Sequence, residues 1–401
     1  MNGRKKILII TSTFPRWDGD IEPYFVESFA KELSKKHKID ILSPHFKKSK
    51  IFEEKDYGRI FRFVYFFPFL ERLSYNGGVL SNLKKNKFKY FLIILFVVMQ
   101  FFWVFFLQIR CRYNVINAHW IIPQGLIAVL IKKIMPRKIK PKVLCTSHGG
   151  DLFSLKSRML TQLKGYVLKN CDGITVVSEY MCKVVKEMVD IDDSKIFVGP
   201  MGVDLKNKFV FDRSIEKQNL IFVGRLVEKK GLVYLVKAID ILRNKYPNIL
   251  LNVVGDGPLY GIISELISEL DLKKNIKLLG AKKSDEVSKL LKQSKISITP
   301  SIVTKEGDQE GLGLVIIEAL GCGCAVIVSD LPAIHDIIID HRTGLFSKPG
   351  DPRSIADNIE LLLTNDELMN SLAENGRKYV VDKFGWKNVG LNYFCILDKM
   401  N

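Results

Sequence analysis

Short, predominantly apolar runs recur through this chain, each followed by a stretch of helical periodicity: residues 7–11, 39–43, 115–119, 143–147 and 174–178, then 220–223, 250–254, 276–279, 296–301 and 325–328. A strand that is apolar without alternation is buried on both faces, the condition of a parallel sheet covered by helices on either side. The series is interrupted once. Val198-Gly-Pro-Met-Gly-Val-Asp204 brings a proline and two glycines just before the charged stretch 206–217, a composition shift that marks a hinge. The 401 residues are enough for two domains with separate cores. The sequence thus predicts an α/β protein of two Rossmann-like domains, 1–204 and 205–383, followed by a last helical stretch, 384–401.

Residues 90–107, YFLIILFVVMQFFWVFFL, are long and apolar enough to cross a bilayer, with Gln100 their only strongly polar side chain. A span would separate strands 7–11 and 39–43 from 115–119 and 143–147, which must share one sheet. The flanks are basic on both sides, Lys84, Lys85, Lys87 and Lys89 before and Arg110 and Arg112 after, so the positive-inside rule gives no orientation. The preferred reading is that segment 88–109 docks in an anionic cytoplasmic leaflet. Burial against the sheet and a true span are the alternatives.

The net charge of +18 calls for an anionic partner: membrane surface, nucleic acid or phosphorylated substrate. No basic stripe interleaved with stacking aromatics marks a nucleic-acid module, so no nucleic-acid partner is expected. The first residues mimic a signal peptide, but the apolar run turns polar at Thr11 and reads better as a first strand. Seven cysteines without a CxxC pair or a His/Cys cluster point to a reducing compartment, and Cys322-Gly-Cys324 to a tight turn. Asp190-Ile-Asp192-Asp193 resembles a metal-binding DxD only superficially, since it falls in a loop before strand 195–198. No metal and no cofactor are assigned. The expected location is cytoplasmic, peripheral on the inner face of the membrane.

Chemistry concentrates at strand ends. Glu310-Gly-Leu-Gly-Leu-Val-Ile-Ile-Glu318 sets two carboxylates eight residues apart across a loop-to-helix junction. Gly311 and Gly313 leave backbone N–H groups bare at the helix start, where a phosphate is favoured, while the carboxylates suit sugar hydroxyls. An amphipathic helix with a polar start explains the same stretch alone. In the first domain, the loop Thr11-Ser-Thr-Phe-Pro-Arg-Trp-Asp-Gly-Asp20 offers Arg16, Gly19 and Asp20; its single glycine makes it no dinucleotide fingerprint. His119 ends strand 115–119, and Thr146-Ser-His-Gly-Gly-Asp151 ends another, where ligands collect in such sheets. A passive histidine before an Asp-capped helix is the plainer alternative. Arg225 and Lys230 follow strand 220–223, a basic pair able to neutralise a diphosphate.

Taken together, GDQEGLGLVIIEALGCGCAVIVSD, the AHW…P.G stretch at 118–125, HGGD at 148–151, the hinge string, GRLVEKKG at 224–231 and GDGP at 255–258 resemble the retaining nucleotide-sugar glycosyltransferases of the GT-B fold, glycosyltransferase family 4. The resemblance covers nearly the whole chain and is nearest to bacterial enzymes of surface-polysaccharide assembly. It implies two domains facing across a cleft, a C-terminal helix crossing back to the first, and hexosyl transfer from a nucleotide-diphosphate sugar to a lipid-linked or polysaccharide acceptor. By it His148 and Glu310 are catalytic; Gly224, Arg225, Lys230, Gly311, Leu312, Gly313, Leu314 and Glu318 bind the donor; and Arg16, Gly19, His119 and Asp151 lie on the acceptor side. Glu318 would hold the ribose, cations would replace a metal ion, and domain closure would exclude water. Ser329-Asp-Leu-Pro-Ala-Ile334 departs from the family's usual glycine pair, and Met201 stands where asparagine is commoner. A GT-B epimerase, acting on donor alone, and a non-enzymatic membrane-surface binder are the rival readings.

Overall fold

The computed structural model describes residues 3–20, 22–71, 73–75, 88–154 and 156–400, with no side-chain description for 88–90. Lys84, Lys85 and Lys87 lie outside the described residues. The chain divides into two compact units, Met1–Pro200 with Val389–Asn401, and Met201–Asn388. The change of unit thus falls just before Asp204, and the return just after Phe384.

In the first unit the strands are β1 (Lys6–Ile10), β2 (Lys38–Pro44), β3 (Phe52–Lys55), β4 (Gly58–Phe63), β5 (Val115–His119), β6 (Lys142–Ser147), β7 (Gly173–Val176) and β8 (Ile196–Val198). They form one sheet of order β3-β4-β2-β1-β5-β6-β7-β8. Every pairing is parallel except the β3–β4 hairpin at one edge. That hairpin is not among the predicted strands. Glu53, Glu54 and Lys55 charge its outer strand, which keeps an edge from pairing with another chain. Helices α1 (Phe25–Ser34), α2 (Phe88–Cys111), α3 (Leu126–Ile134), α4 (Gly150–Phe153), α5 (Arg158–Asn170) and α6 (Glu179–Met188) link the strands.

Helix α2 is the apolar segment, and it serves as the crossover between β4 and β5. Leu92, Phe96, Gln100, Val104, Leu107 and Gln108 turn inward and are buried. The Gln100 amide donates to Thr11 O at 3.3 Å and accepts from Gln124 at 3.2 Å. Gln108 donates to Ile139 O at 2.7 Å. Since β2 and β5 both pair with β1, the helix lies along one side of the sheet instead of separating its strands, which removes the spanning alternative. The opposite face stays in solvent: Ile94 is 61% and Phe102 58% exposed, in line with Val98, Phe106 and Ile109. The apolar sequence thus divides between one face against the sheet and one face outward.

The second unit holds β9 (Asn219–Val223), β10 (Leu251–Val254), β11 (Ile276–Leu278), β12 (Ser294–Thr299), β13 (Ala325–Ser329) and β14 (Leu345–Ser347), all parallel, in the order β11-β10-β9-β12-β13-β14. Its helices are α7 (Leu232–Leu242), α8 (Tyr260–Glu269), α9 (Ser284–Lys292), α10 (Leu314–Gly321), α11 (Pro352–Thr364) and α12 (Asp366–Phe384). Leu235, Val236 and Ile239 of α7 and Ile355 and Ile359 of α11 pack with Leu220, Phe222 and Ile298 in its core.

Helix α13 (Trp386–Lys399) begins in the second unit and ends in the first. Two glycines of the hinge string explain how it is seated. A Cβ on Gly202 would lie 2.6 Å from the Trp386 ring, and one on Gly199 would lie 3.0 Å from Tyr393, whose hydroxyl donates to Gly199 O at 2.7 Å.

Candidate functional site

In open parallel sheets ligands settle beyond the carboxyl ends of strands where the winding reverses. In the second unit that point lies between β9 and β12, and the loops following them carry the predicted donor residues. Backbone joins these loops first. The Ile302 N–H donates to Lys229 O at 2.8 Å, and Gly231 sits at φ +65°, where a Cβ would lie 1.8 Å from Pro300 O and could not fit without displacing the backbone. Side chains then pair off. Lys229 Nζ reaches Asp308 at 3.0 Å, and Lys230 Nζ reaches Glu310 at 2.5 Å, both partners of the second pair being largely buried.

Burial alone would raise the Glu310 carboxyl. Lys230, Lys229 and the Gly311 N–H outweigh it and hold the group below its usual range, so it is a carboxylate at neutral pH. Lys230 and Glu310, to which the sequence reading gives separate tasks at phosphate and sugar, therefore form one ion pair. Arg225 is half-buried at the end of β9, and the Lys230 stem runs past Gly224, where a Cβ would make an ordinary 3.7 Å contact with Lys230 Cδ.

Gly313, at φ +90°, starts α10, a conformation that a side chain would strain. The Ile316 N–H closes the first turn on Gly313 O at 2.9 Å, which leaves the amides before it, at Leu314 and Val315, without intrahelical acceptors. Glu318, one turn beyond Leu314, is half-buried, and its carboxyl group makes no hydrogen bond or ion pair with the described residues. Burial lifts its carboxyl to about 7, with Lys208 opposing weakly. The arrangement joins an ion-paired lysine, a half-buried arginine, a helix tip and a carboxyl poised near neutrality.

In the first unit the reversal lies between β1 and β5. After β1, Arg16 is buried and held by Asp20 through two bonds, 2.6 and 2.8 Å, with Trp17 and Phe46 against the guanidinium. Gly19 is exposed and supplies the positive φ of that turn. Arg16 is thus a clamp that shapes its own loop. After β5, His119 is wholly buried behind His148, its Nδ1 2.9 Å from His148 Nε2. Burial pushes both imidazoles down, His148 to about 3, so both are neutral. Asp151 lies beneath them, buried. It accepts from Ile121 N–H at 2.8 Å, Ser147 Oγ at 2.9 Å and His148 N–H at 3.1 Å, so its oxygens are occupied by the protein.

Sequence reasoning missed four residues here. Trp120, at φ +79°, and Phe25 lay their rings against His148, with centroids 5.1 and 4.9 Å away. Lys229 and Asp308 form the outer ion pair. Only Trp120 carried a signal, as an aromatic side chain directly following a strand-end histidine. The Asp190–Asp193 acidic turn is structural: Asp192 caps Ser194 N–H, and Asp193 pairs with Lys186. Among the described residues no group of three His, Cys, Asp or Glu stands in metal-binding array. Cys322 and Cys324 are buried around the turn at Gly323. In the departing loop after β13, Asp330 bonds His335 at 2.6 Å.

Two doubly wound α/β units in one chain, each with its polar residues at a reversal point, define the GT-B class of fold. The chain belongs to the group 1 glycosyltransferases: residues 205–379 match Glycosyl transferases group 1, and residues 24–207 match Glycosyltransferase Family 4. It is 29% identical over 281 residues to an uncharacterized glycosyltransferase of Methanocaldococcus jannaschii, covering 68% of this chain and 72% of that one. Among solved structures it resembles sucrose-phosphate synthase of Thermosynechococcus elongatus, with TM-score 0.78, 18% identity and 99% of both chains covered. It also resembles Anabaena HepE, solved in complex with UDP and glucose, with TM-score 0.71, 15% identity and 98% and 100% covered.

Proposed function

We propose that this glycosyltransferase moves a sugar from a nucleotide-diphosphate donor, with retention of anomeric configuration, onto a saccharide or lipid-carried acceptor of a cell-surface glycan. The observation that carries the reading is the Lys230–Glu310 pair beside the tip of α10. An ammonium has three donors, so Lys230 can keep Glu310 and still bind a phosphate oxygen. With Arg225 and the amides of Leu312, Gly313 and Leu314 it would stabilise the departing diphosphate, where charge develops in the transition state. We assign that charge to these cations and amides and give no role to a metal ion. Glu310 would orient the donor sugar, and Glu318 would accept from the ribose hydroxyls. His148, neutral, would position the reacting face while the acceptor oxygen loses its proton late. The UDP and glucose of the HepE complex make a UDP-sugar the first donor to try.

The test is incubation with UDP- and GDP-sugars, with and without a saccharide acceptor, and assignment of the new linkage by NMR. Transfer with an unchanged anomeric configuration is expected. Inversion would overturn the retaining assignment, and a changed sugar from donor alone would indicate an epimerase.

Glu318 gives a pH signature. Its folded pKa of about 7 lies above the ordinary glutamate value, so the protonated form favours folding and that contribution is lost as pH rises through 7. Glu318→Gln should therefore raise Tm at pH 8 relative to wild type, with the gain vanishing near pH 5, by calorimetry. Nucleotide affinity of the wild type should rise from pH 6 to 8, as the carboxylate needed for the ribose forms. An affinity flat across that range would remove Glu318 from the ribose.

We further propose that the protein is peripheral on an anionic, cytoplasmic membrane face. Between Glu71 and Asp151 the sequence has thirteen Lys or Arg and no acidic residue, and this stretch contains the outward apolar face of α2. Flotation with phosphatidylglycerol vesicles, but weakly with phosphatidylcholine, is expected. Phe102→Ser with Phe106→Ser should abolish it; retained flotation would refute the docking face.

A further inference from the structure

Between α2 and α3 runs a groove of about 330 Å³ lined by Val97, Val98, Phe101, Phe102, Leu126 and Leu130, with Ile127 at its floor. Its volume is at the lower end for ligand sites, roughly 300–1,000 Å³. Its lining presents no polar group, and such a cavity holds water poorly. Two features of position matter. Gln100, midway along the α2 wall, is bonded to Thr11 O beyond the end of β1, so the groove lies level with the carboxyl ends of the strands, as His119 and His148 do. The α3 wall starts at Leu126, directly after the turn that leaves Trp120, whose carbonyl accepts from Gly125 N–H at 3.0 Å. On its outer side the groove opens onto the exposed α2 stripe, sharing Val98 and Phe102 with it.

We propose that this groove seats one hydrocarbon chain of the lipid-carried acceptor, drawn from the bilayer along the α2 stripe until its polar head stands by His148. This rests on the glycosyl-transfer reading above and adds to it the hydrophobic half of the acceptor. Charge complementarity selects an anionic bilayer over an apolar protein partner as what meets this face: Arg110, Arg112, Lys133, Arg137, Lys138 and Lys140 are exposed around the ends of the two helices away from His148, where they would meet the phosphates of neighbouring lipids, in a stretch without one acidic side chain. Such a collar suits lipid phosphates. The chain never crosses water, and each methylene entering the groove adds to affinity.

The probe is farnesyl diphosphate below its micelle concentration, titrated calorimetrically into the full-length protein against inorganic diphosphate as control. Wild type should bind farnesyl diphosphate tighter than diphosphate by on the order of tenfold or more, the worth of a few buried methylenes. Val98→Trp with Leu130→Trp, both at exposed positions, should fill the groove and erase that difference while keeping flotation on phosphatidylglycerol vesicles. Phe106→Ser with Ile109→Ser, on the stripe outside the groove, should do the reverse. Equal binding of the two probes by wild type, or an unchanged preference in the filled variant, would overturn the proposal. Equal loss of flotation and farnesyl binding in the filled variant would overturn it too, since the groove would then be only part of the bilayer-facing surface. A concentration-dependent dimer abolished by the stripe variant would give the face to a second copy of the chain and have the same force. Nucleotide binding, followed by thermal shift with UDP and with GDP, separates the two readings: binding of either nucleotide without a farnesyl preference sinks only the groove, whereas binding of neither sinks the nucleotide-diphosphate donor reading on which the groove rests.

Discussion

Lys230→Met should lower turnover by roughly 10²- to 10³-fold, the range seen when a preorganised donor to developing negative charge is removed. Both partners of the Lys230–Glu310 pair are largely buried, so the substitution also strands a carboxylate in the interior, at a cost of about 3 kcal/mol. The pH dependence identifies the cause. In the wild type the Glu310 carboxyl is depressed, and its stabilising contribution is present above the ordinary glutamate pKa and lost as pH falls. Without Lys230 burial dominates and the carboxyl moves up, so the stability loss of the variant should grow as pH rises from 5 to 8. Adding Glu310→Gln should recover much of the stability but none of the turnover, a coupling measurable by a double-mutant cycle. Turnover within a few-fold of wild type would remove Lys230 from the leaving-group side.

The order of strands was legible because continuous apolar runs report burial on both faces, and β5 falls where the run at 115–119 puts it. The hairpin at 52–63 was not. Its first strand, Phe-Glu-Glu-Lys, is too polar and too short to signal burial, and only glycine fits at position 58, at φ +150°, because Ile39 O of another strand stands where a Cβ would go. The same distinction runs through the site. Motif spacing placed Lys230 and Glu310 on adjoining loops, and Glu318 in the helix after the second, because the reversal between β9 and β12 is a consequence of strand order. Partner choice was hidden. That Arg16 is consumed by Asp20, and Glu310 by Lys230, depends on side-chain reach in three dimensions, which two residue names cannot convey. For α2 the composition gave length and hydropathy, but the division into an inward face with Gln100 and Gln108 and an outward face needed the sheet beside it.

Asp151→Ala should be the most destabilising single change in the first unit. The carboxylate is buried and binds the Ile121 and His148 N–H groups and the Ser147 hydroxyl, tying the chain after β5 to the chain after β6. Alanine leaves three donors in the interior, each worth about 1–3 kcal/mol when unsatisfied. A loss of roughly 4 kcal/mol corresponds to a Tm fall on the order of 10 °C for a unit of this size. Asp151→Asn keeps one acceptor oxygen and should fall between. The functional effect distinguishes positioning from general weakening. In the proposed function Asp151 would act on the acceptor side only through the His148 backbone and the segment bearing Trp120, whereas the groups proposed to bind the nucleotide, Lys230, Glu310 and Glu318 among them, lie in the second unit. At a temperature where Asp151→Asn is fully folded, kcat should drop while UDP affinity stays as in wild type. Equal losses in both would mean that the carboxylate supports the fold at large rather than the setting of His148, and an unchanged Tm in the alanine variant would contradict the three-donor account outright.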